Sequence, residues 1–274
     1  MTERSARSSL LVRGSDRRQG DVVSVEPSGD RWKYISFRVL RMAEGEFYEN
    51  ETGGNEVAIV VISGSIDMNS SEGAWEGVGT RPDPFSGPPA ALYLPASQNY
   101  RIRARTEAEV AICGAPARGR YPARLIALDV DSEHIRGDGQ ARRRVWNILM
   151  DEGEAGSLFL TEVITFPGNW SSYPPHKHDT DDPPRESQLE ELYYYRMRPA
   201  AGFAFQRVYT ADGSLDETVT VHDNDVVLVP RGYHVCAAAV EYWVYYLNVL
   251  AGPKHVYRMT FDPAHEWIKK NWSW

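Results

Sequence analysis

Short runs rich in Val, Ile, Tyr and Phe recur along this chain, and each is cut off by Gly, Pro, Asn or Asp. "YISFRVLRM", "EVAIVVISG", "AALYLP", "RIRART" and "AEVAICG" occupy the first half; "SLFLTEVITF", "ELYYYR", "FAFQRVYT", "DVVLVP" and "VYYLNVLAG" occupy the second. Branched and aromatic side chains fit a pleated surface, and runs this short and this evenly spaced predict an all-β sandwich or barrel. Helix is expected only in two short stretches, around 138–147 and 263–270.

The pattern also repeats. "EVAIVVISG" (56–64) is followed by "PPAALYLPASQNYRI" (88–102), and "EELYYYR" (190–196) by "DNDVVLVPRGYHVCA" (223–237). In both halves a β segment precedes an apolar strand that ends in a proline and a polar turn. At 274 residues the chain can build two cores of ordinary size, so two β domains of one plan are expected, residues 1–125 and 126–274. The Arg-, Asp- and Gly-rich segment 115–145 reads as the solvated connection between them.

Charge and cysteine content narrow the function classes. A formal net charge of −8 argues against a nucleic-acid surface, which needs basic groups to displace counterions from phosphate. Two cysteines, Cys113 and Cys236, make no disulfide framework and suit a reducing compartment. The first twenty residues hold only a short apolar run where an export signal needs roughly 7–15, and no later run is long enough to span a bilayer. The expectation is a cytoplasmic protein with no membrane or nucleic-acid partner.

Chemistry concentrates in "PPHKHDTDDPPRESQLEELYYYR" (174–196) and "DVVLVPRGYH" (225–234). Side chains at i and i+2 of a strand share a face, so His176 and His178 can reach one ion together. Glu191 and His234 follow at strand positions. Three imidazoles and a carboxylate form a donor set for a borderline divalent ion, with one or two positions left open for water or substrate. Glu186 and Glu190 are rivals to Glu191 for the fourth place.

These residues resemble the cupin superfamily, through Gly168, "PPHKH" and Glu191 as a first motif and Asn224, Pro230, Gly232 and His234 as a second. Seven residues rather than five separate Gly168 from His176, residues 179–190 intervene before Glu191, Asn224 stands where the pattern has glycine, and His234 comes one residue early. In the superfamily the carboxylate ligand precedes an apolar residue and an aromatic pair, which favours Glu191. More narrowly, "GNWSSYPPHKHDTDDPPRESQLEELYYYR", "SLDETVTVHDNDVVLVPRGYH", "YYLNVLAGP" and, in the first half, "YISFRVLRMAEGE" and "WEGVGTRPDPFSGPPAALYLPA" are similar to the 5-deoxy-glucuronate isomerase family, over roughly residues 30–255.

That resemblance implies a bicupin of two double-stranded β-helix barrels, with the metal site in the second. It implies an aldose–ketose isomerase of myo-inositol catabolism that converts 5-deoxy-D-glucuronate to 2-deoxy-5-keto-D-gluconate. It further implies one divalent metal ion, with zinc the first expectation and manganese or iron the alternatives, a sugar-acid substrate and a homo-oligomer. An isomerase of a 4-deoxy-5-ketouronate, a cupin dioxygenase and a sugar-binding cupin without turnover are the competing readings. Proton transfer and hydride shift both remain open, and no residue is assigned as the base.

A sugar acid needs a cationic anchor, for which a bidentate arginine is best suited. Arg185, Arg196, Arg207 and Arg231 lie near the ligands in sequence, with Arg207 and then Arg185 the expected substrate contacts. Tyr193 and Tyr195 share strand parity with Glu191 and are expected to face the cavity, whereas Tyr194 points away and packs. The excursion 179–190 is expected to act as a lid over the metal. His134, His222, His255 and His265 lack ligand spacing and are expected to be surface or structural. The first domain has Asn99 or Tyr100 where the second has His234, and is expected to bind no metal.

Overall fold

The computed structural model describes residues 8–271. Its strands assemble into two barrels of the same plan, as the repeated pattern predicts. In the first, a six-stranded sheet (Gly20–Val25, Ser36–Met42, Asn55–Ser63, Ala90–Leu94, Ala108–Pro116, Arg124–Ala127) faces a four-stranded one (Phe47–Glu51, Ile66–Ser70, Gly73–Val78, Asn99–Ala104). In the second, a seven-stranded sheet built around Glu190–Arg198, Trp243–Ala251 and Phe159–Thr165 faces a five-stranded one that includes Trp170–Lys177, Ala204–Tyr209 and Tyr233–Ala238. All the pairings are antiparallel, so each strand shows one face to its barrel and the other outward.

Three large apolar clusters follow from that alternation. Ile59, Val61, Met68, Leu92 and Ile102 fill the first barrel, and Tyr193, Tyr195, Val208, Val227 and Tyr246 much of the second. The outer faces of the two large sheets press together through Phe37, Val60, Tyr93, Leu192, Tyr194 and Tyr245. Tyr194 is therefore a packing residue, as its parity requires.

Buried charges cross this interface in fixed pairs. Arg81 makes two bonds to the Glu162 carboxylate at 2.7 and 2.6 Å, and the Tyr245 hydroxyl donates to the same group at 2.7 Å. Two more carboxylates are capped by backbone of the opposite barrel. Glu56 accepts from the amides of Gly156, Ser157 and Leu158 at 2.8, 2.6 and 2.7 Å, and Glu190 from those of Lys33, Tyr34 and Ile35 at 2.9, 2.7 and 2.8 Å. Glu56 and Glu190 open the two repeated motifs, and each reaches across to the other unit.

Two expectations are corrected by this architecture. Residues 138–147 form only a 3-10 turn, Gly139–Ala141, before a strand, Arg143–Leu149, pairs with Phe159–Thr165. The run "RRVWNIL" is carried into the sheet by Val145, Trp146, Ile148 and Leu149, all buried, and local helix preference loses to that burial. Segment 115–145 is likewise more than a linker. Arg124–Ala127 closes the edge of the first barrel against Ala90–Leu94, so a boundary at 125 falls inside a strand, and Leu11–Val12 joins the second barrel against Val226–Val229. The expected helix at 263–270 is present as the 3-10 segment Pro263–Asn271.

Candidate metal centre and substrate cavity

His176, next to last in the Trp170–Lys177 strand, pairs directly with His234, the second residue of Tyr233–Ala238. The turn before His234 depends on Gly232, whose φ of +93° and approach to the Tyr209 carbonyl, 2.5 Å from a would-be Cβ, exclude a side chain. Asn224, in the place of the second motif's glycine, takes a φ of +71°, which asparagine tolerates better than most residues. Glu191 enters from the other sheet, on Glu190–Arg198.

The three imidazoles converge. Their centroids lie 4.6 Å (His176 to His234), 5.3 Å (His178 to His234) and 6.1 Å (His176 to His178) apart, and one nitrogen of each falls within 4.8 Å of the others. The Nδ1 atoms face the carbonyls of Pro174 at 3.2 Å, Leu189 at 3.0 Å and Gly232 at 3.2 Å. A carbonyl only accepts, so each Nδ1 carries a proton and each Nε2 is left to face the shared centre, where that of His178 also lies within hydrogen-bond reach of Glu191.

Glu191 closes the set. Its Oε2 stands 3.0 Å from His178 Nε2 and 2.9 Å from His234 Nε2, while Oε1 accepts from Asn248 Nδ2 at 2.5 Å. The His234 contact lacks hydrogen-bond alignment, which leaves that fully buried nitrogen without a partner. An orphaned imidazole nitrogen among two other imidazoles and a carboxylate is what a cation would satisfy. Burial and the two neighbouring rings push His176 down to about 3, so it is neutral and free to coordinate at neutral pH. Burial opposes the charge of Glu191, but His234 and the His178 hydrogen bond prevail and hold its carboxyl well below the usual range.

Both rival acids are engaged elsewhere. Glu190 caps the amides of residues 33–35, and Glu186 binds Lys177 and the amides of Asp179 and Thr180. Strand alternation puts Glu190 and Glu191 on opposite faces, one toward the other barrel and one into its own.

Beside this centre lies a cavity of about 110 Å³, walled by His176 and Glu191, by Asn248, Tyr246 and Tyr257, and by Arg136 and Arg143. Burial raises the Tyr246 and Tyr257 phenols far above their ordinary range, so both stay protonated and can donate hydrogen bonds.

Profile comparison places this arrangement among known proteins: the KduI/IolB family matches residues 10–268. The chain belongs to the KduI/IolB family. Among curated relatives in the comparison, the 5-deoxy-glucuronate isomerase of Geobacillus kaustophilus is 46% identical over 263 residues, covering 96% of this chain and 95% of that protein. The 5-deoxy-glucuronate isomerase of Bacillus subtilis is 43% identical, covering 90% and 92%. Of solved structures, an IolB-like protein from Salmonella typhimurium superposes with a TM-score of 0.91 at 38% identity, covering 96% of this chain and all of that one. Bacillus subtilis oxalate decarboxylase, at 13% identity, shares the fold with a TM-score of 0.64, covering 93% of this chain and 80% of that one.

Within this KduI/IolB site the sequence-based substrate contacts are only partly assembled. Tyr193 lies just behind the cavity wall, its hydroxyl 2.9 Å from Ser172 Oγ, and Tyr195 is deeper, bonded to Gln206 at 2.8 Å. Arg207 is corrected outright. Its strand belongs to the second barrel, but Gln206 and Val208 face inward while Arg207 projects from the outer surface and pairs with Asp216 at 2.8 Å. Arg185 sits at a hairpin tip, about three-quarters exposed, with Asp182 as its partner. Arg196 is held by Glu109 and Asp223, and Arg231 lies at the surface near Ser214.

The excursion is ordered, but none of residues 179–190 lines the cavity. Asp179–Asp182 and Glu186–Gln188 pair as a small hairpin that grips the segment 254–260 from behind. Lys254 bonds to Asp181, the Arg258 amide to Ser187 Oγ, the Ser187 amide to the Arg258 carbonyl, and Thr260 to Glu186. Tyr257 and Met259 of that segment, with Phe261 just after it, form part of the wall, so the expected lid is a brace. His255 stacks on Phe159 at 3.9 Å, and His134 and His222 are exposed.

The residues missed were Arg136, Arg143, Tyr246, Asn248 and Tyr257. A signal existed for Arg143, since it shares strand parity with the inward Val145, but the run "ARRR" reads as solvated charge.

Proposed function

We propose that this chain isomerises 5-deoxy-glucuronate to its ketose, 2-deoxy-5-keto-D-gluconate, with a divalent ion held by His176, His178, Glu191 and His234. The convergence of three imidazoles and the Glu191 carboxylate, with His176 and Glu191 on the wall of one cavity, carries the reading, together with the names of the curated relatives. Zinc suits a three-imidazole, one-carboxylate set, and manganese or iron would use the same donors. Turnover of this sugar acid would place the chain in myo-inositol breakdown.

The reaction is internally balanced: C1 is reduced from aldehyde to alcohol as C2 is oxidised from alcohol to ketone, so no external oxidant or reductant is required. A bound divalent ion supplies Lewis-acid polarisation of the carbonyl and acidifies the adjacent hydroxyl. The chain's own residues orient the sugar. Tyr246 and Tyr257 donate to sugar oxygens, Asn248 fixes the rotamer of Glu191 through Oε1, and the carbonyls of Pro174, Leu189 and Gly232 fix the imidazole tautomers. Val145, Val163, Leu250 and Met259 make the remaining wall apolar and limit competing water.

The test is metal analysis combined with an anaerobic assay on 5-deoxy-glucuronate. A divalent metal with ketose formation is the expected result. Metal without ketose removes the isomerase reading, and oxygen-dependent product formation would favour a dioxygenase.

A further inference from the structure

Arg143 and Arg136 are cations on the wall of a cavity whose one lining carboxylate, Glu191, is engaged by His178 and Asn248 and pairs with neither. Among the described residues neither has a carboxylate within ion-pair distance. Arg143 donates from Nη1 to the Ala141 carbonyl at 3.0 Å, and Arg136 from Nη2 to Asn147 Oδ1 at 3.0 Å. Arg143 is half-buried and Arg136 exposed, and the contrast is with Arg81, locked on Glu162, and Arg196, locked on Glu109 and Asp223.

Leaving a guanidinium partly desolvated without a counter-ion is unfavourable, and burial does lower the Arg143 pKa, with Arg136 adding to the effect. Tyr246 and Tyr257, on the same cavity wall, hold no negative charge because their phenols remain protonated. Both arginines come from the strand-turn-strand His134–Arg136 to Arg143–Leu149, a rigid sheet edge of the second barrel. They share the cavity with His176 and Glu191.

We propose that Arg143, supported by Arg136, binds the carboxylate of the substrate and makes the site selective for sugar acids over neutral aldoses. A planar guanidinium with free N–H groups suits a carboxylate, and a second cation beside it strengthens the field without consuming those donors. With the carboxylate held on this wall, the opposite end of the open chain is directed to the imidazole cluster. The inference rests on the isomerase reading for the identity of the acid, but not for the preference for an acid.

The experiment compares wild type, Arg143→Gln and Arg143→Lys, each loaded with metal. KM is measured for 5-deoxy-glucuronate, and binding is measured by calorimetry for D-gluconate, a non-isomerising acid, and for D-glucitol, its neutral counterpart. Loss of a charge-assisted pair predicts a rise in KM and in the gluconate Kd on the order of 10- to 100-fold for Arg143→Gln. Arg143→Lys should recover part of it, while metal content and Tm stay at wild-type values and glucitol binds weakly to all three. The proposal is overturned if Arg143→Gln leaves KM and gluconate binding within about twofold, if wild type binds glucitol as well as gluconate, or if wild type binds no sugar acid at all. Gluconate binding through Arg143 without turnover of 5-deoxy-glucuronate would instead remove the isomerase reading alone.

Discussion

The two barrels are built from one pattern and differ at the positions that matter for chemistry. His176 pairs with His234 in the second barrel, and Asn50 pairs with Tyr100 in the first. Glu191 pairs with Val229 just before Pro230, and Val57 pairs with Leu94 just before Pro95. The first barrel thus has Asn50, Thr52, Val57 and Tyr100 where the second has His176, His178, Glu191 and His234. Its interior is apolar, whereas the second accepts four ionisable groups because each has a fixed partner. The connection also differs. Residues 53–56 turn tightly in the first barrel, while 179–190 form the hairpin that braces the cavity wall. Glu56 and Glu190 are the shared remainder, and both hold the barrels together.

The comparison is broken most severely by His178→Ala or Glu191→Gln, which should abolish bound metal and reduce turnover by at least about 10³-fold. Tyr100→Phe and Val57→Ala, at the matching places, should leave kcat/KM within about twofold. Metal analysis and steady-state kinetics on all four variants check the asymmetry.

The adjacent pair Glu190 and Glu191 gives a second test. Glu190→Ala strips the acceptor from three backbone amides, so it should cost at least about 2 kcal/mol, or roughly 4–8 °C in Tm, with metal retained. Glu56→Ala should do the same from the opposite side. Thermal melts beside metal analysis separate the joint from the site.

Removal of the metal should act on one barrel. An ion present at about 100 to 1,000 times its Kd contributes roughly 3–4 kcal/mol, which chelation would withdraw. Hydrogen exchange should then rise in Trp170–Lys177, Glu190–Arg198 and Tyr233–Ala238, with Asn55–Ser63 and Ala108–Pro116 little changed.

Replacing 180–187, the hairpin tip, by a short turn should raise KM several-fold through a loosened 254–260 segment, with metal content unchanged, because Leu189 and Glu190 are kept. Arg207→Gln should alter kinetics and stability least, within about 0.5 kcal/mol, because its partner Asp216 is on the surface.

The strand pattern, the doubled plan and the convergence of His176, His178, Glu191 and His234 were legible because each obeys strict alternation and small spacing. His176, His178, Glu191 and His234 all sit where period two puts them on an inward face. Arg207 was misjudged because its strand inverts the usual pattern: Gln206 points in, its Oε1 accepting from the Tyr195 hydroxyl, and Phe205 points out beside Phe203. Arg143 was overlooked for a complementary reason. A strand that begins with two arginines after Arg142 looks like a solvated linker until its pairing with Phe159–Thr165 is known. The role of 179–190 depended on a contact with residues over seventy positions later, which no local signal carries.

The central claim is that chemistry is confined to the second barrel, at one centre. Metal stoichiometry of wild type and His234→Ala, measured on folded protein of matched Tm, tests it most directly. About one divalent ion per chain in wild type and none in the variant is the predicted result. Two ions per chain, or an ion retained by His234→Ala, would contradict it.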